Sequence, residues 1–342
     1  MTGISITREG RAARLLLQRP EALNALTPEI CAAVLDALPA FAEDPDIDLV
    51  ILEGAGDKAF CAGGDIAQVY AEGTRGNADY ARTFWRLEYR MNAAIARFPK
   101  PVVSLMQGYT MGGGVGFGCH ASHRVVAQDA KIAMPECAIG LVTDVGGTLL
   151  LARAPGRLGA YLACTADRMG AADAIYAGFA DHLVPRDLWP DLIAELSATG
   201  DAGAVAQAAI QTDPGPLAAL APRIDTLFAA DSLAEIVAAL DASTDDVATQ
   251  ALARLCAHDP LAMAASLDLI RRARHTDRLE DALEQEFRFT SRAVDEADFL
   301  EGIRARIIDR DNAPHWTYGL RDVPRTKVAD LLAPLPDGGL GL

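Results

Sequence analysis

Phe60-Cys-Ala-Gly-Gly-Asp-Ile66 and Gly108-Tyr-Thr-Met-Gly-Gly-Gly-Val-Gly116 are the two segments whose reading decides the fold of this chain. Each follows a strand-like stretch and leads into a helix pattern: a helix is expected from Asp65–Tyr70 out of the first turn and across Met111–Cys119 out of the second. Glycine has no Cβ and reaches positive φ, so its backbone N–H can approach a ligand closely. Two such turns converging on one point would aim two amide donors at a single oxygen, the arrangement that stabilises charge developing on a carbonyl. For Gly112-Gly-Gly114 the competing reading is tight helix packing alone.

Outward from these turns, Leu49–Leu52, Val102–Leu105 and Arg124–Ala127 read as short apolar strands, separated by helices or turns. A run near Ile4–Ile6 and another at Arg14–Gln18 predict a hairpin around Glu9-Gly10. Thr27-Pro28-Glu29 combines an N-capping residue with a proline in the first turn, and starts an amphipathic helix reaching about Phe41. This strand–turn–helix rhythm indicates an α/β architecture with mainly parallel crossovers. After about residue 200 the texture becomes alanine- and leucine-rich, with breaks near Gly215, Asp231 and His258-Asp-Pro260, so a helical carboxy-terminal region is expected. The division drawn is a core over 1–200 and a helical region over 201–342, closing in a loose tail, Pro334–Leu342.

The 342 residues are 51% hydrophobic and 23% charged, ordinary values for a globular protein with a sizeable core. A net charge of −16 argues against nucleic acid and anionic membrane surfaces, both of which need clustered Lys and Arg. Six cysteines (31, 61, 119, 137, 164 and 256) show no CxxC spacing and read as buried, reduced thiols. His120 and His123 alone do not make a metal site, so no metal is expected. The first residues lack a charged stretch followed by a long apolar one, and no apolar run has membrane-spanning length. A cytoplasmic protein is expected.

Three acids are candidates for chemistry. Glu136 and Asp144 lie in Met134-Pro-Glu-Cys-Ala-Ile-Gly-Leu-Val-Thr-Asp-Val-Gly-Gly147, an otherwise apolar loop. Burying Glu136 there would raise its pKa toward a range useful for proton transfer; the alternative is a surface glutamate after a proline. Asp144 precedes the helical run Thr148–Ala154 and could simply anchor a helix amino terminus. Glu88 lies on the apolar stripe of Phe84-Trp-Arg-Leu-Glu-Tyr-Arg-Met-Asn-Ala-Ala-Ile95, where an acid needs a partner or a function. No GxxxxGK[ST] or GxSxG sequence occurs, so neither nucleotide hydrolysis nor a serine elbow finds support.

Arg19-Pro-Glu-Ala-Leu-Asn-Ala-Leu26, Lys58-Ala-Phe-Cys-Ala-Gly-Gly-Asp-Ile66, Gly108–Gly116 and Pro135-Glu-Cys-Ala-Ile-Gly-Leu141 resemble, in order and spacing, the signatures of the crotonase (enoyl-CoA hydratase/isomerase) superfamily. Asp298–Arg306 and Pro314-His-Trp316 resemble that family's carboxy-terminal helix, so the resemblance covers nearly the whole chain. It implies a spiral of ββα units with a helical carboxy-terminal region, and an acyl-CoA substrate with no added cofactor. Carried over by match, the amides of Gly64 and Gly113 would hold the thioester oxygen. Ala22, Ala62, Asp65 and Ile66 would line the CoA-binding backbone. A homo-oligomer is compatible with the resemblance.

Two departures matter. Glu21 stands where many members carry a lysine beside the CoA phosphates. Gly116 stands two residues after the glycine triplet, where hydratases carry the first of two glutamates. With Asp144 in Thr143-Asp-Val-Gly-Gly147 and with Glu88, the pattern resembles the thioesterase branch that acts on 3-hydroxyisobutyryl-CoA in valine breakdown. That implies Glu136 as nucleophile or base, with Asp144 and Glu88 receiving the acyl 3-hydroxyl. The alternatives carried forward are an enoyl-CoA hydratase or isomerase using Glu136 alone, and a non-catalytic CoA- or RNA-binding member of the fold.

Overall fold

The computed structural model describes residues 3–336 and 338–342. The chain divides into two compact units, each assembled from separated segments. One comprises Met1–Gly64, Leu87–Ala133 and Met169–Pro216; the other comprises Asp65–Arg86, Met134–Arg168 and Leu217–Leu342.

The first unit carries all nine strands of the described residues. The predicted hairpin is present: β1 (Ile4–Glu9) pairs antiparallel with β2 (Ala12–Leu17), with Glu9 opposite Ala12. β3 (Leu49–Gly54) joins β2 in parallel, with Ala12 opposite Leu49. β4 (Ala59–Cys61) then leaves for a second sheet. From here successive strands alternate: β5 (Val102–Met106) extends the first sheet, β6 (Tyr109–Met111) the second, β7 (His123–Val126) the first and β8 (Lys131–Ala133) the second. β9 (His182–Leu183) completes a six-stranded sheet of order β1-β2-β3-β5-β7-β9, beside a three-stranded parallel sheet β4-β6-β8. One strand in each sheet per turn is the layout of a ββα spiral.

The second sheet corrects the sequence reading, which had not resolved its members. Three residues are too few for alternation to show, and these strands stand only because their neighbours lie in register. Tyr109 sits opposite Lys131, and Met111 opposite Ala133.

Central strands of the large sheet are buried on both faces, so Leu49–Leu52 of β3 is continuously apolar and β5 is apolar but for the buried Ser104. Leu49, Ile51, Val103, Leu105 and Val125 pack against Trp189, Leu192 and Leu196 of the helix Trp189–Thr199. The Trp189 indole N–H donates to the Val184 carbonyl at 3.1 Å. The helix Pro28–Glu43 starts as expected, with the Thr27 hydroxyl accepting from the Ile30 amide and Pro28 in its first turn.

The described residues of the second unit form helices joined by turns and loops, with no strand. The expected breaks near Asp231 and His258-Asp-Pro260 are present, and a further break falls at 242–245. Ser232 caps Leu233–Asp241 and Asp245 caps Asp246–Leu255. Asp259 accepts from the Leu261 and Ala262 amides to start Pro260–Thr276. The tail has neither helix nor strand at its described residues, 334–336 and 338–342.

Candidate active site

In the first unit, the segment Arg19–Leu26 is a tight loop with Leu23 and Asn24 both left-handed, at φ 51° and 57°. Asn24 makes this tolerable, since its short amide bonds locally. The side chain is 1% exposed. Its Nδ2 donates to the carbonyls of Ala55 and Ala59, at 2.9 Å each, and its Oδ1 accepts from the Arg19 amide at 3.0 Å. The Ala62 amide donates to Leu23 at 3.0 Å, and Leu26 donates to Gly63 at 2.9 Å. The loop bearing Ala22 is thus stitched to the first glycine turn, leaving Ala22, Ala62 and Gly64 partly exposed. Glu21 beside them is exposed.

The second glycine turn starts the short helix Gly113–Gly118. Gly112 precedes it at φ 51° and ψ −119°, a conformation side chains do not adopt. Phe117 stacks on Phe60 of β4, ring centroids 5.6 Å apart, and ties the helix to the first turn. Gly113 is the first residue of the helix, so its N–H has no intrahelical acceptor. A Cβ on Gly113 would lie 3.3 Å from the Gly64 amide nitrogen and 3.2 Å from Leu26 Cδ1, and would collide with Glu88 Oε1. Gly64, Gly113 and Glu88 are therefore brought together.

Glu88 lies on the helix Ala78–Ala96 and is 3% exposed. Burial, with the charge of Glu88 adding to it, pushes the Cys61 thiol up to about 12 and Cys31 well above the ordinary range. These thiols stay protonated at neutral pH and are not nucleophiles. Five of the six cysteines are buried; Cys256 is exposed.

In the second unit, Glu136 opens a 3-10 turn, Glu136–Ile139, directly after Pro135 and is 5% exposed. The surface-glutamate reading of this residue is thereby excluded. The loop that follows is pinned by Ser266, whose hydroxyl meets Cys137 Sγ at 3.5 Å and accepts from the Thr143 amide at 3.1 Å. Asp144 is 4% exposed. It precedes the helix Gly147–Arg153. That helix's amino terminus is satisfied by other groups. Gly147 donates to the Asp144 carbonyl at 2.6 Å and Leu149 to the Gly146 carbonyl at 3.2 Å. The amides of Gly146 and Thr148 donate to the carboxylate of Glu286, at 2.7 and 3.1 Å. Glu286 thus takes two amides at the start of that helix.

Glu286 was absent from the sequence reading. It sits on the helix Leu279–Glu296, fully buried, between Ala282 and Leu283 on one side and Phe289 and Thr290 on the other. The signal that singled out Glu88, an acid on an apolar helical stripe, was present here too. Burial, reinforced by the nearby charge of Asp144, raises its pKa to about 8 against the bonds from Thr148 and Gly146. Between Asp144 and Gly146, Val145 adopts φ 54°. That left-handed conformation costs a β-branched residue about 1–3 kcal/mol and persists only where the surroundings enforce it.

Asp65 and Ile66 begin the helix Ile66–Gly73 of the second unit, Asp65 as its N-cap residue, and both are partly exposed. The described residues contain no group of three or more His, Cys, Asp or Glu able to hold a metal ion.

Residues 12–332 match the family model described as enoyl-CoA hydratase/isomerase. A relative from Xenopus tropicalis, named 3-hydroxyisobutyryl-CoA hydrolase, mitochondrial, is 37% identical over 91% of this chain and 83% of its own length. The protein of the same name from Gallus gallus is 34% identical over 99% of this chain and 91% of its own. Among solved structures, an enoyl-CoA hydratase from Rhodobacter sphaeroides is 50% identical, with a TM-score of 0.94 over 99% of this chain and 100% of that one. A carnitinyl-CoA dehydratase from Mycobacterium thermoresistibile is 39% identical, with a TM-score of 0.94 over 98% of each chain. With its signatures, its alternating sheets and these matches, the chain belongs to the crotonase (enoyl-CoA hydratase/isomerase) family of enzymes.

Proposed function

We propose that this enzyme hydrolyses a short 3-hydroxyacyl-CoA thioester, with 3-hydroxyisobutyryl-CoA as the substrate. The observation that carries the reading is where its buried acids lie. Gly116 occupies the position of the first hydratase glutamate, in a helix that is buried throughout. A different acid, Asp144, is buried eight residues after Glu136, beside a helix start whose Gly146 and Thr148 amides Glu286 holds. The names of the curated relatives support the same substrate.

In this mechanism the amides of Gly64 and Gly113 donate to the thioester oxygen as it gains charge, a contribution of roughly 3–4 kcal/mol per donor. Glu136 supplies the carboxylate. As a nucleophile it forms a mixed anhydride and expels CoA thiolate, and water then cleaves the anhydride; as a base it takes the proton of the attacking water. Asp144 accepts from the 3-hydroxyl, and Glu88 offers an acceptor beside Gly113. A site built to pair a hydroxyl strongly rejects the analogue lacking it. CoA enters as part of the substrate, and no further cofactor takes part. The buried free thiols support a reducing compartment, for which we propose the cytoplasm.

The test is thiol release from a panel of short acyl-CoA esters, run beside loss of enoyl absorbance. Release from the 3-hydroxy esters supports hydrolysis. Enoyl loss without thiol release would select the second reading, hydration or isomerisation by Glu136 alone, which the 50% identity to a structure titled enoyl-CoA hydratase favours.

A further inference from the structure

We propose that Glu286 is a positioning residue for substrate selection: by clamping the turn Asp144-Val145-Gly146 it aims the Asp144 carboxylate at the acyl 3-hydroxyl. The inference rests on the role given to Asp144 above and extends it to a residue outside the family signatures.

The geometry is a two-pronged clamp. Glu286 Oε2 accepts from the Gly146 amide at 2.7 Å, on one side of the turn's exit. Its Oε1 accepts from the Thr148 amide at 3.1 Å and from the Thr148 hydroxyl in a short bond. Three donors converge on one carboxyl group that is wholly out of solvent. Between the clamp and Asp144 lies Val145, held at φ 54°. A valine does not keep that conformation unless the residues around it over-determine it. Releasing the clamp lets the turn relax toward ordinary backbone, and the direction of the Asp144 side chain is set by that backbone. A cap serving the helix alone would not need the strained residue next to the acid. Glutamine cannot replace glutamate here: both carboxyl oxygens can accept, protonated or not, whereas an amide turns an N–H₂ toward one of the backbone donors.

The test compares hydrolysis of 3-hydroxyisobutyryl-CoA with that of isobutyryl-CoA, which lacks the hydroxyl. Glu286→Gln should lower kcat/KM for the hydroxy ester about 10- to 100-fold, as a misaimed contact does, and change the plain ester by less than about threefold. Asp144→Asn should remove the same preference, and the double variant should be no worse than Asp144→Asn. Equal losses on both esters, or an undiminished Glu286→Gln effect in the Asp144→Asn background, would overturn the positioning role alone. An intact preference in Asp144→Asn, or no thiol release from either ester by the parent enzyme, would sink the reading of Asp144 and this inference with it. Should Glu286→Gln fail to fold, Thr148→Val decides. It deletes only the hydroxyl donor, and should erode the preference by about threefold or more; an unchanged preference refutes the clamp.

Discussion

The amide nitrogen of Gly64 stands 3.3 Å from the point a Cβ on Gly113 would occupy, so two residues from different signatures pack backbone to backbone. The same point is crowded by Glu88 Oε1. Gly113→Ala therefore has two separable effects. The methyl displaces the donors, and should cost about 100-fold or more in kcat. It also overpacks against a buried carboxylate, at about 1–3 kcal/mol of stability. Adding Glu88→Ala should relieve the crowding and restore thermal stability, while kcat stays about 100-fold or more below that of Glu88→Ala alone. Recovery of both together would mean that crowding, not donor geometry, limits the alanine variant.

Glu136→Gln keeps the shape of a residue that is 5% exposed and removes its charge. We expect thioester hydrolysis to fall by about 10²–10⁴-fold, the range of a lost general base or nucleophile. Affinity for a non-hydrolysable CoA ester, measured by calorimetry, should stay within about threefold. Retained turnover would remove Glu136 from the mechanism.

Asn24 joins the loop carrying Ala22 to the Ala55 and Ala59 carbonyls. In Asn24→Ala those carbonyls lose their donor and an alanine is left at φ 57°. Each orphaned buried group costs about 1–3 kcal/mol. We expect a loss of about 2–4 kcal/mol in urea unfolding, with a raised KM for CoA esters because the loop backbone is the expected CoA contact. An unchanged KM in a variant that still folds would separate the loop from CoA binding.

Stability should decline as pH rises through neutrality. Burial lifts Asp259 to about 7, with the charge of Asp298 adding to it, and lifts Glu286 to about 8. Both folded-state values lie above the ordinary carboxyl range near 4. Folding therefore favours the protonated forms: their stabilisation is complete below about pH 4 and is lost as pH passes 7 and then 8. Thermal melts from pH 5 to 9 should show Tm falling, and the fall should flatten in Asp259→Asn and Glu286→Gln compared slope to slope. A parallel slope in both variants would assign the decline to other groups.

Much of the fold was readable because its determinants are local. The hairpin at Glu9-Gly10, the Thr27-Pro28 helix start and the Asp259-Pro260 break each depend on residues within a few positions of one another. The burial of Glu88 and Glu136 followed from apolar neighbours in the same helix or loop. Asp144 could not be read this way, since a carboxylate before a helix looks the same whether or not it caps.

From its sequence alone this chain declares an α/β architecture with two glycine turns and acids on apolar segments, because spacing, capping and periodicity act between near neighbours; the spiral followed from the family resemblance. Only tertiary structure decided that three-residue strands build a second sheet, that Gly64 and Gly113 come together, and that Glu286 takes the Gly146 and Thr148 amides. Those are pairings between distant segments, made by hydrogen bonds and packing that no pattern within either segment carries.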